Sequence, residues 1–198
     1  MKTENHAKVR RLVTLALLAA LIVVLQSLST LFPAVTPVNL TLVPIVIGAI
    51  LYGPGACAIL GGVFTAVVLI AGFTGTDVFT SMLLGSAPVW TVLVCIVKGV
   101  GCGAAAGAVY RLLQNRKRFI ACLLAAVVAP IVNSGVFTIG VLTVLRSSFE
   151  AIASSFEIAD AMQWLFVGIL GVNFLIEFTV NVVLSSAIAY ITKVAKKR

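Results

Sequence analysis

Uncharged apolar stretches on the order of 20 residues recur along nearly the whole chain, and no other feature restricts its fold so strongly. A helix rises about 1.5 Å per residue, so a stretch of this length crosses the roughly 30 Å hydrocarbon layer of a bilayer. Inside that layer every backbone N–H and C=O must be paired within the protein, which limits spanning segments to helices or closed barrels. The apolar runs here are continuous and lack the two-residue alternation of barrel strands, so the helix is the solution. Of the 198 residues, 61% are hydrophobic and 10% charged, against about one-quarter charged in a soluble domain. With a mean hydropathy of +1.19, the chain cannot cover itself with polar surface. The reading is an all-α, polytopic membrane protein in which residues 1–198 form a single integral-membrane domain.

The net charge of +8 raises the question of a nucleic-acid partner, which would need the basic residues gathered on one water-facing surface. They are distributed differently. Twelve of the fourteen form three groups: Lys2, Lys8, Arg10 and Arg11; Arg111, Arg116, Lys117 and Arg118; Lys193, Lys196, Lys197 and Arg198. Each group flanks an apolar run, as the positive-inside rule describes, and no nucleic-acid partner is expected. The run at 12–31 behind the first basic group has the outline of a secretory signal. It exceeds the roughly 7–15 residues of a signal core and has no clean small-residue cleavage site, so it is read as a permanent helix.

The first helix is expected over about 12–31, stopped by Phe32-Pro33, with a new start near Pro37. A second helix to about Tyr52 turns through Gly53-Pro54-Gly55 into a third over about 56–71, forming a hairpin. A loop at 72–80 carries Asp77, after which a fourth run continues without a break to about Leu113. The fifth covers about 119–145 and the sixth about 161–192, lengths that imply tilt or projecting ends. Six crossings place the three basic groups on one side, and Asp77, Glu150, Glu157 and Asp160 with the single basic Arg146 on the other. Both termini are therefore expected in the cytoplasm, with the protein in the inner (plasma) membrane. The polar segment 146–160 contains Ser147…Glu150 and Ser154…Glu157, each spaced as a capping box; a short surface helix and chance matches in a loop are both open.

Two formally charged residues lie deep in the expected spans, Lys98 in the fourth and Glu177 in the sixth. A charge at mid-membrane costs about 2.5–3.5 kcal/mol on insertion scales and must face the bundle interior. Either the two form a mutual pair that fixes helix register, or Lys98 meets an anionic ligand group while Glu177 holds it in place. Asn173, Glu177 and Asn181 fall at i, i+4 and i+8, one polar stripe on the sixth helix, and Asn133 of the fifth helix is expected at similar depth. Asn39, Thr41 and Trp90, nearer the helix ends, complete the ligand-binding candidates. Gly99, Gly103 and Gly107 form a small-residue face that admits a neighbouring helix, and Ala16 and Ala20 form another on the first helix.

The four cysteines, Cys57, Cys95, Cys102 and Cys122, sit inside apolar runs without C-x-x-C pairing and read as packing residues. There is no P-loop, so the chain cannot harvest ATP in that manner, and no cofactor is expected. The single histidine, His6, lies in the N-terminal tail. No catalytic residue is assigned, because neither a nucleophile with its base nor paired carboxylates can be assembled.

The run Leu-Ala-Leu-Leu-Ala-Ala at 15–20 and the hairpin stretch Leu-Val-Pro-Ile-Val-Ile-Gly-Ala-Ile-Leu-Tyr-Gly-Pro-Gly at 42–55 resemble the substrate-binding (S) components of energy-coupling factor vitamin transporters. Gly61-Gly62-Val63-Phe64 and the Asn173, Glu177, Asn181 stripe belong to the same resemblance, which extends over most of the chain. It implies a six-helix bundle that captures a small vitamin near its outer face, in the company of membrane lipid, a transmembrane coupling subunit and two cytosolic ATPase subunits. It also implies that the family's A-x-x-x-A coupling surface falls on Ala16 and Ala20, and that gating loops fall at about 32–39, 72–80 and 146–160. The hairpin is closest to pantothenate-type members, with folate- and riboflavin-type members sharing much of it. The alternative is a self-sufficient proton-coupled carrier of a small anionic metabolite, using Glu177.

Overall fold

The computed structural model describes residues 2–31, 40–115 and 118–195, and among these every regular element is a helix. In chain order they are α1 (Lys2–Leu31), α2 (Leu42–Tyr52), α3 (Pro54–Phe73), α4 (Val78–Ser86), α5 (Pro88–Leu113), α6 (Arg118–Thr143), α7 (Arg146–Ser155), α8 (Ala161–Gln163), a π-helical stretch (Trp164–Asn173) and α9 (Phe174–Ala195). Five segments are long and apolar enough to cross a membrane: Lys8–Ser29, Pro54–Phe73, Pro88–Leu113, Arg118–Thr143 and Ala161–Leu184. The 11-residue α2 is apolar but shorter. The expected start of that second helix near Pro37 lies outside the described residues.

The hairpin forms as its turn residues require. Gly53 takes a φ of +80°, a backbone conformation that costs L side chains energy, and donates its N–H to the Ala49 carbonyl at 3.0 Å. Pro54 then opens α3 at its first position, where no intrahelical N–H partner is lost.

The fourth run is not the unbroken helix expected from hydropathy. Pro88 disfavours the α conformation at Ala87, which sits at φ −145°, ψ 68°, and the run divides into α4 and α5. Asp77 starts α4 by accepting the Thr80 N–H at 3.1 Å and the Thr80 hydroxyl at 2.6 Å. The result is a short helix packed on α3, α5 and α7.

Central α5 packs most extensively on α6 and α3. Its Gly99, Gly103 and Gly107 face the α3 backbone or its start, and a Cβ at these positions would strike Thr65, Cys57 and Pro54 respectively. Across the same contact the Thr65 hydroxyl donates to the Cys95 carbonyl at 3.0 Å, an interhelical bond of the kind that joins small-residue faces. Gly103→Ala is expected to cost about 1–3 kcal/mol through overpacking, read as a lower thermal midpoint. Gly101→Ala should cost nothing by the same assay, since its Cβ would meet only Val132, at 3.9 Å.

All four cysteines are buried and free, and the Cys57 thiol donates to the Ile45 carbonyl of α2 at 3.0 Å, consistent with packing roles. The surface helix at 146–155 is present as α7, but neither capping box forms. No side chain caps its start, and Glu150 instead accepts from Arg146 Nε at 3.0 Å. The cap in this region is Asp160, which accepts the N–H groups of Met162 and Gln163 at the next helix start. Phe149 of α7 stacks on Trp164 with ring centroids 5.2 Å apart, and Phe79 of α4 meets both edge-on. This aromatic cluster ties α4, α7 and the π-helical stretch over one end of the bundle.

Candidate functional site

Beneath α4 lies a cavity of about 80 Å³ walled by α1, α3, α4, α5, α6, the π-helical stretch and α9. Its lining includes Gln26, Asp77, Thr80, Thr91, Lys98, Asn133, Ser134, Phe137 and Glu177, with Val68, Phe79, Leu83, Val94 and Ile169 among the apolar members. The sequence explains how these residues converge. On α1, Leu18, Ile22 and Gln26 recur every four residues and are all buried, so a single inward face carries the Gln26 amide to the cavity wall. On α5, Thr91, Cys95 and Lys98 share the face turned toward α3 and α6.

The Lys98 ammonium lies 5.4 Å from the Phe137 ring centroid and 6.0 Å from that of Phe64. Ring faces attract a cation without neutralising it, so two aromatic rings hold the Lys98 ammonium at the cavity. The Gln26 and Asn133 side chains are 1% and 4% exposed, and each has an amide oxygen with no hydrogen-bond partner. A buried polar atom left without a partner costs about 1–3 kcal/mol, a cost that a ligand offering hydroxyl or amide N–H groups removes. Asp77 has both carboxylate oxygens engaged by Thr80 and acts as a fixed wall. The cavity thus combines a cation, a second acid (Glu177), orphaned amide oxygens and an apolar lid.

Of the residues singled out in the sequence, Lys98, Asn133 and Glu177 are brought together at this cavity. Asn181 is buried one turn beyond Glu177 and has a different task. Pro130 inside α6 has no N–H to offer the Ala126 carbonyl four residues earlier. The Asn181 amide of α9 donates to that carbonyl instead, at 3.2 Å. Asn181→Leu is therefore expected to cost about 1 kcal/mol, and most of that cost should vanish in a Pro130→Ala background, where the N–H returns. A thermal-stability cycle over the two positions reads the coupling directly.

Thr41 is buried beside the start of α2, away from the cavity lining, and Trp90 is 47% exposed on α5 and faces outward. Asn39 lies outside the described residues. Asn173 ends the π-helical stretch, and its side chain is not among those described. Ala16 and Ala20 are exposed, about 200° around α1 from the Leu18, Ile22, Gln26 stripe. Gln26, Asp77, Thr80, Thr91, Ser134 and Phe137 line the cavity without having been singled out for a site. Gln26 carried the clearest signal, as a carboxamide within an otherwise apolar span.

No curated protein and no solved structure matches this chain. The family model described as ECF transporter, substrate-specific component, matches residues 10–189. That match covers all but the first two residues of the five long apolar helices and every lining residue of the cavity. The family consists of transport components that work with an energy-coupling factor module. This multi-pass helical chain therefore belongs to the family of ECF transporter substrate-specific components.

Proposed function

We propose that the chain captures a small vitamin, the carboxylate-bearing pantothenate ahead of folate or riboflavin, for import across the plasma (inner) membrane. It crosses the membrane six times with both termini in the cytoplasm. A transmembrane coupling subunit docks on Ala16 and Ala20, and two cytosolic ATPase subunits supply the energy. The observation that carries the substrate reading is the pairing of the Lys98 ammonium with the orphaned Gln26 and Asn133 oxygens around one cavity. A carboxylate faces Lys98, while hydroxyl and amide hydrogens face Gln26, Asn133 and Glu177. Pantothenate carries an acid at one end, hydroxyls at the other and an amide between.

The test is purification in mild detergent followed by mass spectrometry of the small molecules released on denaturation. Pantothenate is the expected species, and a consistently recovered cation or uncharged ring compound would overturn the assignment. Orientation is checked separately. A reporter fused after Arg198 should read cytoplasmic and one inserted within 147–158 external, whereas both on one side would contradict six crossings.

A further inference from the structure

At the C-terminal end of α5, beyond the mid-helix Lys98, a second cavity of about 400 Å³ opens where α1 meets the α2–α3 turn. It shares no lining residue with the interior cavity. Arg11, Tyr52, Tyr110, Arg111 and Gln114 supply its polar wall, and no acidic side chain lines it among the described residues. The Arg11 guanidinium sits over the Tyr52 ring, 5.7 Å from its centroid, which holds the fork in place. Arg111 lies in the last turn of α5. Two arginine forks lining one concave site suit a phosphate, which guanidinium groups bind bidentately.

The surroundings specify what carries that phosphate. Leu51 lines the groove and is 44% exposed, and Leu12 and Leu112, beside the two arginines in sequence, are 66% and 78% exposed. The basic groove therefore lies near exposed apolar side chains, as a molecule with an anionic head and acyl chains requires. A free phosphate makes no use of that flank. Basic pockets between membrane helices on the side carrying Lys and Arg are suited to anionic lipid headgroups. We infer that this groove is a binding site for the phosphate headgroup of an anionic phospholipid, seated by Arg11 and Arg111 and independent of the substrate cavity.

The probe is phosphatidylglycerol, offered as a minor component of phosphatidylcholine nanodiscs and read by native mass spectrometry after release. The wild-type chain should retain phosphatidylglycerol selectively, and the Arg11→Gln, Arg111→Gln double variant should retain it about 20-fold less. Arg146→Gln, at the other end of the bundle, should behave as wild type. Should the double variant have a lower thermal midpoint in pure phosphatidylcholine, the Arg11→Lys, Arg111→Lys variant decides, because its charges remain and selective retention should persist. Equal retention by the glutamine variant would overturn the site. Complete displacement of the lipid by micromolar glycerol 3-phosphate would also overturn it, since the site would then belong to a soluble phosphate.

Discussion

Lys98→Met is expected to weaken binding of the carboxylate vitamin by about 10- to 150-fold, the span that a hydrogen bond to a charged group commands. The substitution keeps most of the length of the side chain and its packing against Phe64 and Phe137, so the cavity retains much of its shape while losing its cation. Affinity and stability must be read side by side, because Lys98 and Glu177 line the same cavity and removing one member of a buried charge pair costs about 3–5 kcal/mol in itself. The double variant Lys98→Met, Glu177→Gln separates the two effects. Stability returns in it, whereas affinity for pantothenate stays low, and calorimetry on the three variants checks both. Recovery of affinity together with stability would remove Lys98 from the site and make the two charges a register device.

The second large effect falls on the outer face of α1. Ala16→Trp or Ala20→Trp should abolish cellular uptake and assembly with the coupling subunit, while binding by the isolated chain stays within about twofold. Both alanines are exposed and lie on the far side of the helix from Ile22 and Gln26, so a bulky ring there enters neither the core nor the cavity. Close helix approach needs small side chains, and an indole holds the partner backbone away. Co-purification of the coupling subunit with each variant gives the measurement. Loss of ligand binding with assembly intact would instead make these alanines part of the internal packing.

Much of the fold was legible because the bilayer permits so few alternatives. Apolar length alone marked the spanning helices, and Gly53-Pro54-Gly55 marked the hairpin turn. The break at Ala87 escaped the reading because hydropathy continues smoothly through Pro88, and only the backbone restriction before a proline divides the run. The π-helical stretch at Trp164–Asn173 has no periodic signature in an all-apolar segment; its Trp164 is placed by packing against Phe79 and Phe149.

The site divides along the same line. Charges in apolar runs stand out, so Lys98 and Glu177 were readable, as was the buried amide of Asn133. Asp77 and Thr80 read as loop residues because polar groups near helix ends are common, and only the separate start of α4 at Asp77 brings them to the cavity. Asn181 looked like a third member of the polar stripe. Its partner is the Ala126 carbonyl, which Pro130 leaves without a donor, and that relation joins two helices far apart in sequence.

The most direct test of the central claim is isothermal titration of the purified chain alone, without ATP or partner subunits, against pantothenate, folate and riboflavin. Saturable one-to-one binding of pantothenate is the predicted result, with folate and riboflavin far weaker and no response to an imposed proton gradient when the chain is placed in vesicles. Failure of the isolated chain to bind any of the three, together with gradient-driven uptake by vesicles holding only this chain, would contradict a capture subunit and make it a self-sufficient carrier.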